Sequence, residues 1–330
     1  MLFDVQLFRH ITGSAPFCDD ENTLYRLQAD ATPLVLNMWR IWADRVDDNP
    51  VGTVLRCKKA LSSIVKDFSA PDENGELKVD YDSVALDPRY EAFEESVCEI
   101  QCVDMTSMSP NERTAFCINL YNMMIVHAFA KLGRPESSRA RLAFFSNVSY
   151  MIGGELYSFS DIENGILRGN KVPPYSFSRP FRPSDRRFAT ALDSCECKVH
   201  FALNCGAHSC PPVKNFTRES VVEELQVVAR AFCEDEENVR ISVEDNTVWL
   251  SQIFSWYSSD FGSSRQMLLQ SVLGWLRGEK KEKLSKLIES GVTVKTRSLH
   301  YDWTTNAMQS GSKFGDKDLA ETSRADCTIF

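Results

Sequence analysis

The chain has 330 residues, 43% hydrophobic and 11% aromatic, enough to bury a substantial core in one large or two modest domains. Its 37 Lys and Arg against 46 Asp and Glu leave a net charge of −9, which repels phosphate backbones and argues against nucleic acid as a partner. No run approaches about 18 uninterrupted apolar residues, so no membrane-crossing helix is expected. Residues 1–5 lack a basic segment leading into an apolar one, so the 11 cysteines, an odd number, read as cytosolic thiols and not as a disulfide framework.

Leu34, Val35, Met38, Ile41 and Trp42 fall at helical spacing and predict a helix over 34–46; Val54, Leu55, Leu61, Ile64 and Val65 predict another over 51–68. Pro71-Asp72-Glu73-Asn74-Gly75 reads as a turn, and helical spacing resumes over 90–103. Ser109 as N-cap, Pro110 at N1 and Glu112 at N3 form a capping box, opening a helix that runs to Leu132 and stops at Gly133. Residues 150–152 and 155–157 around Gly153-Gly154 predict a two-residue hairpin, followed by a short helix capped by Ser160 with Glu163. The stretch 169–183, rich in Pro, Ser and aromatic residues, is expected to be a long loop that packs on something or closes over it. Residues 199–203 predict a short strand, with His200 and Ala202 on one side and Phe201 and Leu203 on the other. Thr217 caps a helix through Phe232; 239–243 pairs with 247–250; helices follow at 266–277 and 281–289, and a last strand at 292–295. Beyond about Asn306 the chain is polar and is expected to be disordered. The clearest strand pairs are hairpins, so the expected fold is α+β, several helices around a small, mostly antiparallel sheet.

Two constellations carry chemistry. The helix around 115–129 is apolar on every face, so Asn119 and Asn122, one turn apart, need buried partners. They are read first as an internal network that fixes following loops, and second as amides facing a ligand or reacting group. The other constellation is the segment 199–212, where a strand end runs into Cys205, Gly206, His208, Ser209, Cys210 and two prolines. Three readings compete, in this order: Cys205, Cys210 and His200 as core residues; Cys205 or Cys210 as a nucleophile beside an imidazole; and zinc held by Cys195, Cys197, Cys205, His208 and Cys210. The zinc spacing fits no standard finger or ribbon, and no metal or other cofactor is expected.

Ala115-Phe116-Cys117-Ile118-Asn119-Leu120-Tyr121-Asn122, then Ile152-Gly153-Gly154 with 158–168, then His200-Phe201-Ala202-Leu203-Asn204-Cys205-Gly206-Ala207 with Ser209-Cys210-Pro211-Pro212, resemble the signature blocks of domain of unknown function 547. Leu250-Ser251, Trp256-Tyr257 with Asp260-Phe261-Gly262, and Tyr301-Asp302-Trp303 with Asn306 extend the resemblance over about 33–306. Cys117 departs from the family's usual aromatic residue and His208 from its common Lys, which weakens zinc further. Phe8-Arg9-His10-Ile11-Thr12, Phe17-Cys18-Asp19-Asp20 and Leu24-Tyr25-Arg26-Leu27 resemble the closing strands of a DEP domain. The implied organisation is a partial DEP domain over 1–28, a helical region over 29–108, the main domain with its C-terminal extension over 109–306 and a disordered tail over 307–330.

Family membership implies no established activity. The DEP likeness implies a cytoplasmic signalling or scaffold protein with an unnamed protein partner. The rival reading is a thiol-dependent hydrolase or transferase of papain-like or transglutaminase-like type. In it Cys205 or Cys210 is the nucleophile, His200 the base and Asn119 or Asn122 the polar support, while Tyr121, Asp302 and Asn306 are structural or ligand-facing. The loop 204–212 is expected to pack beside the Asn119/Asn122 face, joined by Asp302 and Asn306. Cys327-Thr328-Ile329-Phe330 fits a prenylation box, so a peripheral membrane location through Cys327 is a further expectation.

Overall fold

The computed structural model describes residues 33–43 and 48–308, so the expectations for 1–28 and for Cys327 lie outside the described residues. In chain order the elements are β1 (Leu34–Val35), α1 (Pro50–Asp67), β2 (Ser69–Pro71), β3 (Leu77–Val79), α2 (Tyr81–Leu86), α3 (Pro88–Ser96), α4 (Pro110–Leu132), α5 (Ser138–Asn147), β4 (Val148–Ile152) and β5 (Glu155–Ser158). Then come α6 (Val221–Glu234), β6 (Val239–Ser242), β7 (Thr247–Leu250), α7 (Gln252–Trp256), α8 (Ser258–Phe261), α9 (Arg265–Trp275), α10 (Gly278–Glu289) and β8 (Lys295–Ser298). Turns of 3-10 helix lie at Val97–Cys102, Arg186–Thr190 and Cys197–Phe201, and a π-helical turn at Asp161–Leu167.

The fold is α+β, but among the described residues its strands form three small sheets, β1-β4-β5, β2-β3 and β6-β7-β8, where the sequence suggested one. The hairpin pairings are antiparallel, and β1 on β4 and β8 on β7 are parallel. Gly153 and Gly154, at φ 59° and 80°, make the two-residue turn between Ile152 and Glu155, where both central positions need the positive φ that glycine enters without strain.

Helix α4 organises the interior. The Ser109 hydroxyl accepts from the Glu112 N–H at 3.3 Å, and Gly133, at φ 81°, ends the helix with its N–H on the Phe129 carbonyl. Every residue from 115 to 125 is at most 3% exposed, so the helix is the axis of the larger apolar cluster, with α1 packed along it. By length and hydropathy it could cross a bilayer, yet 83% of its apolar window is buried inside the fold, so a core position accounts for its composition. Its buried imidazole, His127, is matched on both ring nitrogens, Nδ1 with the Tyr150 hydroxyl at 2.6 Å and Nε2 with Glu94, which also pairs with Lys131. A second apolar cluster gathers Phe201, Phe232, Phe254, Phe261 and Trp275, and Val228 of α6 touches both clusters.

Several expectations are corrected. Of the helix expected over 34–46, the described residues 34–43 form none: Leu34 and Val35 pair with Val148 and Ser149, and the Asn37 amide spans the N–H and C=O of Met151. Those tertiary hydrogen bonds override a helical period that carries no cap. The segment 199–203 is not a strand but continues the turn Cys197–Phe201, capped where the Glu196 carboxylate accepts from Lys198 N–H. A short run buried on all sides has no exposed face to make it alternate, so periodicity cannot tell strand from helical turn there. Ser160 does not cap the following helix; Ser158 and Asp161 cap each other, the Ser158 N–H and hydroxyl on Asp161 and the Asp161 N–H on the Ser158 hydroxyl. Residues 306–308 are ordered, with Ala307 bridged to Val79 and the Met308 N–H on the Val79 carbonyl. The last strand falls at Lys295–Ser298, three residues later than expected, and α2, α5 and the β2-β3 hairpin were not foreseen.

Candidate functional site

The loop after the Cys197–Phe201 turn is fixed from beneath by α4. Asn122 donates its amide to the Ala202 carbonyl at 2.9 Å and accepts the Asn204 N–H at 2.8 Å, so one side chain stands in for a strand across the loop's entry. Asn119 does the same one turn earlier, donating to the Phe216 carbonyl at 2.7 Å and accepting its N–H at 3.1 Å. Both amides spend their hydrogen-bonding atoms on main chain, and neither faces the cavity described below. From above, the segment 301–306 closes on the loop. Asp302 N–H donates to the Ser209 hydroxyl at 2.8 Å, its carbonyl accepts from Ser209 N–H, and Ala207 bridges Thr305. The Asp302 carboxylate accepts from its own loop at Thr304 N–H, and the Asn306 side chain accepts from the Tyr81 hydroxyl at 3.1 Å. Gly206, at φ 85°, is needed at the bend, because a Cβ there would lie 2.6 Å from the Phe129 ring.

This clamp folds Cys205 and Cys210 onto each other. Their sulfurs are 3.0 Å apart as free thiols, the Cys205 N–H points at Cys210 Sγ at 3.1 Å, and the Tyr301 hydroxyl is 3.3 Å from Cys210 Sγ and 3.8 Å from Cys205 Sγ. Burial pushes Cys210 up, but hydrogen bonds from the Cys205 thiol, the Tyr301 hydroxyl and the Cys205 N–H outweigh it and bring the thiol down to about 7. The bond to Cys210, with burial, holds Cys205 well above the ordinary thiol value. Two adjacent thiols thus share one proton, and the first to ionise is Cys210.

A second polar cluster lies on the same cavity. His200 Nε2 is 2.9 Å from an Asp260 oxygen, and its ring stacks on Tyr257 with centroids 3.9 Å apart. Burial raises Asp260, but His200, Arg168 and Lys171 together hold it ionised far below the usual carboxylate range. An ionised Asp260 makes His200 Nε2 the donor, and burial, larger than the opposing pull of Asp260, lowers the imidazole below its ordinary value, so it stays neutral. Glu163, in the π-helical turn, accepts from the hydroxyls of Tyr257 and Tyr121. Cys195 brings its sulfur within 4.8 Å of His200 and Asp260 donor atoms. Metal binding there is opposed by the Arg168 guanidinium and Lys171 ammonium already on Asp260, and burial pushes the Cys195 thiol up to about 12.

A cavity of about 460 Å³ joins the two clusters, with Cys205, Cys210, His200, Glu163 and Tyr121 in its wall. Aromatic side chains form much of the rest: Trp256, Trp303 and Tyr301 pack on one another, and Phe145 and Tyr175 complete the surround. Of the sequence-derived candidates, Cys205, Cys210, His200 and Tyr121 therefore meet at one cavity, although no hydrogen bond joins His200 to Cys205 or Cys210. The five residues of the zinc set do not converge: Cys195 lies with His200, Cys197 packs against the second apolar cluster, and His208 is exposed. Asp260, Arg168, Tyr257 and Tyr301 were assigned no role from sequence and Glu163 only one as a helix cap, though all sit in the blocks that carry the family resemblance. Arg141 sat in no block and gave no signal at all.

Residues 105–233 match a family model described as protein of unknown function, DUF547. The matched segment holds Tyr121, Glu163, Arg168, His200, Cys205 and Cys210, whereas Asp260 and Tyr301 lie C-terminal to it. No curated protein and no solved structure matches the chain.

Proposed function

We propose that this cavity is the site of a thiol-dependent hydrolase or transferase in which Cys210 is the nucleophile. The observation that carries the reading is the Cys205–Cys210–Tyr301 cluster, which stabilises a thiolate inside an aromatic-walled cavity. The Cys210 thiolate adds to an acyl carbonyl carbon, a C–S bond forms, and the bond to the leaving group breaks. The leaving group takes a proton from the Cys205 thiol or the Tyr301 hydroxyl, the donors beside the attacking sulfur. Release of the acyl group to water or another acceptor needs a base, and His200, neutral and oriented by Asp260, supplies one in the same wall. Asn122 and Asn119 are positioning residues in this scheme, since they hold the loops and not the reacting atoms.

Alkylation with iodoacetamide, read residue by residue by mass spectrometry across pH, tests the reading. Cys210 should label with a midpoint near neutrality, below the roughly 8.5 of a free thiol, while Cys117 and Cys233 stay unlabelled in the folded protein. Labelling of Cys210 only after unfolding would remove the nucleophile. A signalling or scaffold role in the cytoplasm, with a protein partner, is a second reading carried by the DEP-like residues of segment 1–28. It is compatible with a catalytic cavity, and a Cys210→Ser protein that keeps every cellular interaction of the wild type would favour it.

A further inference from the structure

We infer that Arg141 is the anion-recognising residue of this cavity and that its ligand is a small carboxylate with a flat apolar body; this rests on Cys210 being the nucleophile. Helix α5 turns one face to the cavity, with Ser138, Arg141, Leu142 and Phe145 at spacings of three and four residues. Arg141 is the cation of that face. Its guanidinium carbon lies over the Trp303 ring, 4.1 Å from the ring centre, a cation–π contact that takes up no hydrogen-bond acceptor.

Among the described residues Arg141 makes no ion pair and no side-chain hydrogen bond, and the ionisable groups that influence it are Cys205 and Tyr301, the members of the thiol cluster. The other charged group in the wall, Glu163, is already engaged by Tyr257 and Tyr121. A partly desolvated guanidinium without a counter-ion, facing a cavity, is matched by an anion brought in from solution, and a carboxylate fits its fork with two parallel hydrogen bonds. Trp256, Phe145 and Leu142 beside it offer flat apolar surface to the rest of such a molecule. Closeness to the thiols places the anionic group near the reacting carbon, so the acceptable substrates are acyl compounds bearing a free carboxylate near the bond that is broken.

Two nearly isosteric reagents separate this from a general effect on the thiol. Iodoacetate and iodoacetamide consume the same Cys210 thiolate, so the ratio of their rates cancels any change in its acidity and reports the preference for a carboxylate. The ratio in the folded wild type should exceed that of the urea-unfolded chain by about tenfold. Arg141→Gln should return it to the unfolded value, and Arg141→Lys, which keeps the charge and the aliphatic stem, should retain part of the preference and so exclude misfolding as the cause. Equal ratios in wild type and Arg141→Gln would overturn the inference while leaving the nucleophile intact. If neither reagent labels Cys210, the nucleophile falls by itself and calorimetry with benzoate and benzamide decides the anion site. Tighter binding of benzoate that is lost in Arg141→Gln supports it, and equal binding of the two by the wild type refutes it.

Discussion

The two amides of α4 make a paired experiment, because they are chemically alike, equally buried and attached to different loops. In Asn122→Ala the Ala202 carbonyl and the Asn204 N–H lose their partner in a site where Asn122 is 1% exposed. Each orphaned buried group costs about 1–3 kcal/mol, and the helix recovers roughly 0.5 kcal/mol from replacing Asn by Ala, so the net loss is about 2–5 kcal/mol. Asn119→Ala orphans the Phe216 N–H and carbonyl in the same way and should cost a similar amount in urea unfolding. The difference lies at the thiols. Asn122 fixes the residue next to Cys205, so its loss should loosen the contacts of Cys210 with Cys205 and Tyr301 and move the alkylation midpoint upward, whereas Asn119→Ala should leave that midpoint in place. A loss below about 1 kcal/mol in Asn122→Ala, or the same midpoint shift in both variants, would refute the argument that Asn122 presents the thiol loop.

Burial pushes Glu94 up, but His127 and Lys131 outweigh it and hold it at about 2 against an ordinary 4.5. A depressed carboxylate contributes stability above its unfolded value and loses it as pH falls, here roughly 3 kcal/mol between about pH 5 and 2. Protonation of His127, lowered by burial, begins to oppose folding already below about pH 6.5. Glu94→Gln should cost about 3–5 kcal/mol at pH 7 and flatten that acid limb, and an unchanged pH dependence of the urea midpoint would contradict the assignment. Gly206→Ala, forced to φ 85° and into the Phe129 ring, should cost about 1–3 kcal/mol and slow Cys210 alkylation; wild-type behaviour in both would show that the bend is not strained. Diamide, which accepts two hydrogens, should join Cys205 and Cys210 as a disulfide and abolish alkylation at both, to be seen in a peptide map under non-reducing conditions.

What the sequence disclosed and what it withheld follow from the range of the interactions involved. The ends of α4 were legible because Ser109, Pro110, Glu112 and Gly133 act within a turn of themselves, and the β4-β5 hairpin because Gly153-Gly154 determines its own backbone. Residues 34–43 and 199–203 misled because their conformations are set from outside, by the edge of β4 in one case and by packing on all sides in the other. The site divides the same way. Cys205 and Cys210 announce themselves by residue type and by a Gly- and Pro-punctuated loop, but what makes one of them acidic is Tyr301, 91 residues beyond Cys210, and what orients His200 is Asp260, 60 residues away. Spacing encodes nothing about such pairings. The asparagines are the instructive intermediate: two amides in an apolar helix announce that main chain must come to them, without saying which main chain. Their partners proved to be the entry of the thiol loop and the approach to α6, so the chemistry at Cys210 is tied to the core of the fold through Asn122. Substitutions that repack α4 should therefore reach the cavity through the position of Asn204, even where they touch no residue in its wall.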